Sequence, residues 1–346
     1  MKPTGGNDAK CHVTTSEIAR MCGLSRTTVS AVLNGRPSVR ESTRRKVLQY
    51  VRESHYSSGI IAKAVAGELS EMVAILAPDA GSPSNMMVFR GVSRVLETEG
   101  YHMLFHNVRH EGESDPATLA SLQAFRPAGY IVLKGAEGPK AVHARKIAEE
   151  GVPLVTLGAL AGLETHSVNV DNRAAMRLAT DYVIRCGHSR LGHIAGPATY
   201  PGAKERKLGF IESLVEHGMS ISQAAMVDVG ETVSAGYEAA ISLLGDPVSR
   251  STALLCFNDM VAMGVYRAAH ELSLRIPDTL SVMGFGGLDF GALMSPPLTT
   301  VNVFSELLGE RAARLLLKII RNGTPDGPVA EWVSPELTER ASVRTL

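Results

Sequence analysis

The sequence predicts an all-α helix-turn-helix head joined to an α/β body of two lobes, each lobe a doubly wound parallel sheet. Three observations predict it. Residues 14–34 carry the punctuation of two short helices around a glycine turn. From residue 72, short apolar runs alternate with amphipathic helical stretches, the pattern of βαβ units. More than ten such elements follow one another before residue 346, more than one sheet comfortably holds, so the body divides in two.

The head comes first. In TTSEIARMCGLSRTTVSAVLN (14–34), Thr14 with Glu17 three residues later spells a capping box for a helix carrying Ile18, Ala19 and Met21. Gly23 permits the turn that ends it. Ser25 caps the next helix, which buries Val29, Val32 and Leu33 and leaves Arg26, Thr27, Ser30, Ala31 and Asn34 outside. Periodicity alone also admits a plain αα-hairpin with a solvated polar face. A helix that begins at a hydroxyl residue and shows small polar side chains beside one arginine suits a DNA major groove. There Ser25, Thr27 and Ser30 reach phosphates or bases, and Arg26 forks onto a guanine edge. Gly35 and Pro37 then turn the chain into a third helix, about 41–54, with Val47, Leu48 and Val51 inward and Arg44, Arg45 and Lys46 outward. Residues 56–71, small and polar with Gly59 and Gly67, read as a hinge.

In the body, strands are expected at Met72–Ala77, His102–Asn107, Gly129–Leu133, Leu154–Leu157, Leu191–Ile194, Met226–Val229, Ala253–Phe257 and Ser281–Phe285. Helices are expected at 86–99, 115–125, 140–150, 172–186, 203–217, 233–244, 259–272 and 305–321. Open α/β sheets bind ligands beyond the carboxyl ends of their strands, so a cleft between two lobes is the default site.

Charge separates the two parts. The formal net charge is zero, yet residues 1–65 hold eleven basic side chains against four acidic ones, a net +7 that the remainder balances. A basic head on an acidic body has the electrostatics of a phosphate-binding module, although a solvated helical surface carries the same signature. Hydrophobic residues at 45% and charged residues at 20% exclude a disordered chain. Cys11, Cys22, Cys186 and Cys256 are scattered without metal-ligand spacing, so reduced thiols are expected and neither a metal nor a cofactor. With no apolar leader and no run near the roughly 18 apolar residues of a membrane span, a cytoplasmic protein without a membrane partner is expected. No nucleophile elbow, P-loop or dinucleotide fingerprint appears, which argues against an enzyme. A secreted solute-binding protein accounts for the body but not for the head.

The run EIARMCGLSRTTVSAVLNGRPSVRESTRRKVLQYVRESHY resembles the headpiece of the LacI/GalR family of bacterial repressors. Ile18-Ala19, Gly23, Leu24-Ser25, Thr28-Val29-Ser30, Val32 to Gly35, Thr43-Arg44, Lys46-Val47 and Tyr56 carry the resemblance. In the body it continues through GHSRLGHIAGP (187–197), Arg206 with Gly209-Phe210, FNDMVAMG (257–264), SVMGF (281–285), PPLTTV (296–301) and ELTERAS (336–342).

The resemblance implies a sequence-specific transcription regulator, a repressor, whose head binds a pseudo-palindromic operator in double-stranded DNA as a homodimer. It implies a body related to periplasmic binding proteins, holding a small-molecule effector (a sugar, a sugar derivative or a purine-like compound) between its lobes. The implied divisions are a tail at 1–12, the head at 13–57, the hinge at 58–70, an N-terminal lobe at 71–170 with 304–331, and a C-terminal lobe at 171–303 with 332–346. Arg26 and Thr27 fall at the family's reading positions; Thr14, Ser25, Ser30 and Asn34 anchor phosphates or neighbouring bases, and Val65 is the hinge wedge in the minor groove. For the effector, Arg206 offers a planar fork and Asn258 a donor and an acceptor, with Asp259 beside it as the helix cap. Asp79, at the end of the first strand, and Glu231, where relatives place an aromatic ring, are the weaker candidates.

The chain departs from the family pattern at several of these positions. Ala31 stands where arginine is common, Val65 where leucine is, and Gly59 where asparagine often is. Gly286 and Gly287 stand where relatives typically carry one or two aspartates, the first of which often binds ligand hydroxyls, and Asp289 is the next acid. This argues against an ordinary monosaccharide, for a bulkier ligand, or for no effector at all.

Overall fold

The computed structural model describes residues 15–33, 39–53, 70–77, 81–108, 116–133, 139–158, 160, 162–220, 226–248 and 250–346. Thr14, Asn34, Val65 and Asp79, together with nearly all of the expected hinge, lie outside the described residues.

The head contains α1 (Thr15–Cys22), α2 (Arg26–Leu33) and α3 (Glu41–Glu53). Gly23 ends α1 at φ +64°, a left-handed conformation open to glycine without strain. The amides of Gly23 and Leu24 return to the carbonyls of Arg20 and Ala19, at 3.2 and 2.9 Å, the paired bonds of a Schellman stop. Ile18, Ala19, Cys22, Val29, Val32, Leu33, Val47 and Val51 form the head's core, with Leu48 partly buried beside them. Of the side chains that α1 carries, Met21 is 45% exposed, whereas Cys22 fills the core. One position along a helix is a turn of about 100°, enough to move a side chain from core to solvent.

The body begins with β1 (Ser70–Ala77), α4 (Pro83–Thr98), β2 (His102–Asn107), α5 (Pro116–Ala124), β3 (Pro127–Leu133), α6 (Pro139–Glu149), β4 (Leu154–Leu157) and β5 (His166–Val170). It continues with α7 (Asn172–Arg185), β6 (Leu191–Ala195), α8 (Pro201–Glu216), β7 (Met226–Asp228), α9 (Val233–Leu244), β8 (Ala253–Cys256), α10 (Asp259–Glu271) and β9 (Ser281–Gly286). A short 3₁₀ turn (Asp289–Leu293), β10 (Thr299–Asn302), α11 (Ser305–Asn322), β11 (Ala330–Val333) and β12 (Glu336–Thr338) complete it. Four helices open on proline (Pro83, Pro116, Pro139 and Pro201), whose fixed φ suits the first helical position and whose missing N–H costs nothing there.

Two six-stranded sheets result, ordered β11-β5-β4-β3-β1-β2 and β12-β10-β9-β8-β6-β7. In the second, β7, β6, β8, β9 and β10 run parallel and β12 closes the edge antiparallel to β10. The α/β body of two mostly parallel sheets is thus the architecture that the alternating pattern predicts. In chain order β7 is added on one side of β6 and β8 on the other, so the topological switch point of this sheet lies between β6 and β8.

Four strands were not among those expected: β5, β10, β11 and β12. In β5 and β10 polar residues occupy the interior, including Ser167, Asn169, Thr299 and Thr300, and hydrogen bonds replace apolar contact. The Asn169 amide donates to Ser167 Oγ at 2.9 Å and to the Glu331 carbonyl at 3.3 Å. A reading keyed to apolar runs does not register such strands.

Candidate functional site

In the head, the α2 start is built from Ser25. Its Oγ accepts the Thr28 amide at 3.1 Å and lies 2.8 Å from both the Thr27 and Thr28 hydroxyls. The cap therefore holds a small hydroxyl cluster at the tip of the helix. Ser25, Arg26 and Thr27 are exposed, while Ser30 and Ala31 are half-buried on the same helix. The Arg26 guanidinium makes no hydrogen bond or ion pair among the described residues, which leaves its full fork available. On α3, Glu41 draws in both Arg45, at 3.3 Å, and Arg44, at 3.9 Å. Exposed pairs of this kind add little stability, but they withdraw two cations from free display.

In the body, the second site is built on Arg206, which α8 carries to the carboxyl edge of β6, β8 and β9. Its Nε donates to Asn172 Oδ1 at 2.8 Å and its Nη1 to the Phe257 carbonyl at 2.7 Å. The guanidinium carbon lies 3.8 Å from the centroid of the Phe285 ring and 4.6 Å from that of Phe257. Cation–π contact and two directed bonds fix the plane of the fork. Its Nη2 has no bond to any described residue. Burial pulls the Arg206 pKa below its ordinary value, while Glu231 and Asp259 pull it back up.

Glu231 is half-buried, and its negative charge faces Arg206. Asn258 caps α10, its Oδ1 accepting the Val261 amide at 2.8 Å while its Nδ2 donates to the Glu231 carbonyl at 3.2 Å. The cap is therefore Asn258 and not Asp259, a correction to the sequence expectation. Asp259 instead points into the protein, accepting the Leu288 amide at 2.7 Å and the Thr300 hydroxyl at 2.6 Å. Burial raises its pKa, while Thr300 and the Leu288 amide work in the opposite direction. Arg206, Glu231 and Asn258 thus converge at the switch point.

The glycines on either side of Phe285 follow from the same geometry. A Cβ on Gly284 would stand 2.2 Å from Asp259 Oδ1, so the carboxylate takes the place of a side chain there. Gly286 has φ +129°, where an L side chain is strained. Asp289 is exposed in the 3₁₀ turn. Sequence reasoning missed Asn172, Phe257 and Phe285 as the residues that position Arg206. Asn172 had a signal: it lies two residues past the end of β5, at the expected division between lobes.

Among the described residues no cluster of His, Cys, Asp or Glu is placed to hold a metal ion, and no helix is long and apolar enough to cross a membrane. The three described cysteines are free and buried. A helical head with an exposed polar reading helix, and an α/β body with a cation held at its switch point, define a DNA-binding protein with a ligand-binding module.

Comparison with known proteins identifies the family. Residues 14–58 match the model of bacterial regulatory proteins of the lacI family, and residues 180–343 match a periplasmic binding protein-like domain. The HTH-type transcriptional repressor PurR of Yersinia enterocolitica is 31% identical over 333 residues, covering 95% of this chain and 96% of that protein. PurR of Serratia proteamaculans matches equally, at 31% over 333 residues with 95% and 96% covered. A complex of the regulator CelR with cellobiose superposes with a TM-score of 0.71 at 25% identity, covering 95% of this chain and 99% of the other. The lac repressor dimer, bound to operator and an anti-inducer, shares the fold with a TM-score of 0.76 at 23% identity, covering 96% and 99%. The chain belongs to the lacI family of bacterial regulatory proteins and is a DNA-binding transcription regulator.

Proposed function

We propose that this regulator is a repressor that binds a pseudo-palindromic operator as a homodimer and responds to a small polar effector held at the switch point of the body. The observation that carries the reading is the Arg206 constellation: a cation held in place by Asn172 and the Phe257 carbonyl, backed by Phe285, and keeping one terminal nitrogen unused. The half-buried guanidinium keeps unused N–H donors, which suit a ligand acceptor. Sugars, sugar derivatives and purine-like compounds all supply one. The solved neighbours favour the sugar classes, since one is a regulator in complex with cellobiose and another a LacI family regulator with bound ribose.

In the head, Ser25, Arg26, Thr27, Ser30 and Ala31 meet the major groove, with Thr14 and Asn34 beside them and Val65 as the hinge wedge. The lac repressor structure, a dimer on operator, is the model for two heads in successive grooves about one helical turn apart. Its place of action is the cytoplasm. The proposed divisions remain 13–57 for the head, 58–70 for the hinge, and lobes crossing near 170, 303 and 331.

The test is selection of duplexes from a randomised library by the full chain. Expected is a recovered pseudo-palindrome bound about 10³-fold or more tightly than a scrambled duplex at the same salt. Equal affinity for both would contradict the proposal.

A further inference from the structure

Between the exposed face of α2 and the start of α3 lies an open concavity of about 350 Å³, lined by Thr27, Thr28, Ala31, Val39, Arg40 and Thr43. One wall belongs to the helix proposed to read DNA. On that wall Ala31 places a methyl group where the family resemblance leads one to expect a guanidinium. Across from it stands Arg40, exposed, immediately before α3. The carbonyl of Arg40 accepts the Arg44 amide at 3.0 Å, so its backbone is fixed by the first turn of α3. Its side chain is uncommitted. Glu41 engages Arg44 and Arg45, whereas the Arg40 guanidinium has no ion pair or hydrogen bond among the described residues.

We propose that Arg40 reads a base edge from this concavity, supplying the guanidinium that residue 31 lacks, so that sequence reading is shared between α2 and the start of α3. The inference rests on the proposed DNA-reading role of α2. One feature favours a base over a phosphate: Arg40 shares its concavity with the reading residue Thr27. Its free fork can make the paired bonds that a guanine edge accepts from arginine, as it can with a phosphate.

The experiment uses the duplex that the unaltered full chain selects, with each base pair then varied singly. Unaltered chain, Arg40→Ala and Arg40→Lys are compared by fluorescence anisotropy, with circular dichroism melts showing that all three stay folded. Arg40→Ala is expected to bind the selected duplex about 10- to 100-fold less tightly. It is expected to lose its preference at one base pair per half-site and keep the others. Lysine keeps the charge but not the fork, so Arg40→Lys is expected to leave that preference lost. A loss that is equal at every base pair and restored by lysine marks a phosphate contact and overturns the inference; so does unchanged binding by both variants. If the unaltered chain selects no consensus, the DNA-reading assignment falls and takes this inference with it. A failure confined to the Arg40 variants leaves that assignment standing.

Discussion

Burying a guanidinium is costly, and Arg206 offsets the cost with Asn172, the Phe257 carbonyl and the face of Phe285. Its neighbour His193 solves a related problem differently. It is fully buried on β6, with Nδ1 2.9 Å from the Leu255 carbonyl and its ring 5.1 Å from that of Phe210. Its Nε2 has no hydrogen-bond partner among the described residues. Burial lowers its pKa to about 4, with Arg206 and Lys207 adding to the fall and the Leu255 carbonyl and Asp228 opposing it. The unfolded chain takes up this proton near pH 6.5, whereas the folded chain resists it down to about 4. Between those values the unfolded state binds more protons, so stability falls as pH falls. The loss is about 2 kcal/mol by pH 5 for this group. Denaturant titrations at pH 7 and pH 5 are expected to show a smaller difference for His193→Leu than for the unaltered chain; identical differences would remove His193 from the account.

At the scale of elements, helix pairs in the body close through glycine. A Cβ on Gly264 of α10 would meet the Val233 carbonyl of α9 at 2.1 Å, and one on Gly91 of α4 would meet the Glu306 carbonyl of α11 at 2.0 Å. These neighbours are backbone and cannot rotate away, so Gly264→Ala is expected to cost about 1–3 kcal/mol by forcing α9 and α10 apart. A shift in the denaturation midpoint measures it, and an unchanged midpoint would mean the pair is softer than its geometry. The same elements show what sequence can tell a reader. The eight body helices and the strands with apolar interiors were legible because their hydropathy has the right period. Strands β5 and β10 were not, because buried Ser167, Asn169, Thr299 and Thr300 are satisfied by hydrogen bonds. Arg206, Glu231 and Asn258 were legible as candidates. Their joining at one edge, the aromatic seat of Arg206 and the inward turn of Asp259 depend on contacts between distant segments, which no local pattern encodes.

For the whole molecule, the uneven charge and the two mostly parallel sheets converge on one account. In the proposed function, a basic head meets polyanionic DNA, and the Arg206 cation of the body meets a small ligand. In a regulator these two events are coupled, and by linkage an effector alters DNA affinity by as much as DNA alters effector affinity. Coupling is therefore the central claim. The direct measurement takes any sugar, sugar derivative or purine that raises the melting temperature of the full chain. The affinity of the chain for its selected duplex is then determined with and without that compound. The account predicts a change of about 5- to 150-fold. It also predicts that Arg206→Ala abolishes this change while leaving the ligand-free duplex affinity intact. A duplex affinity that stays the same in the presence of a compound bound to the unaltered chain would contradict it.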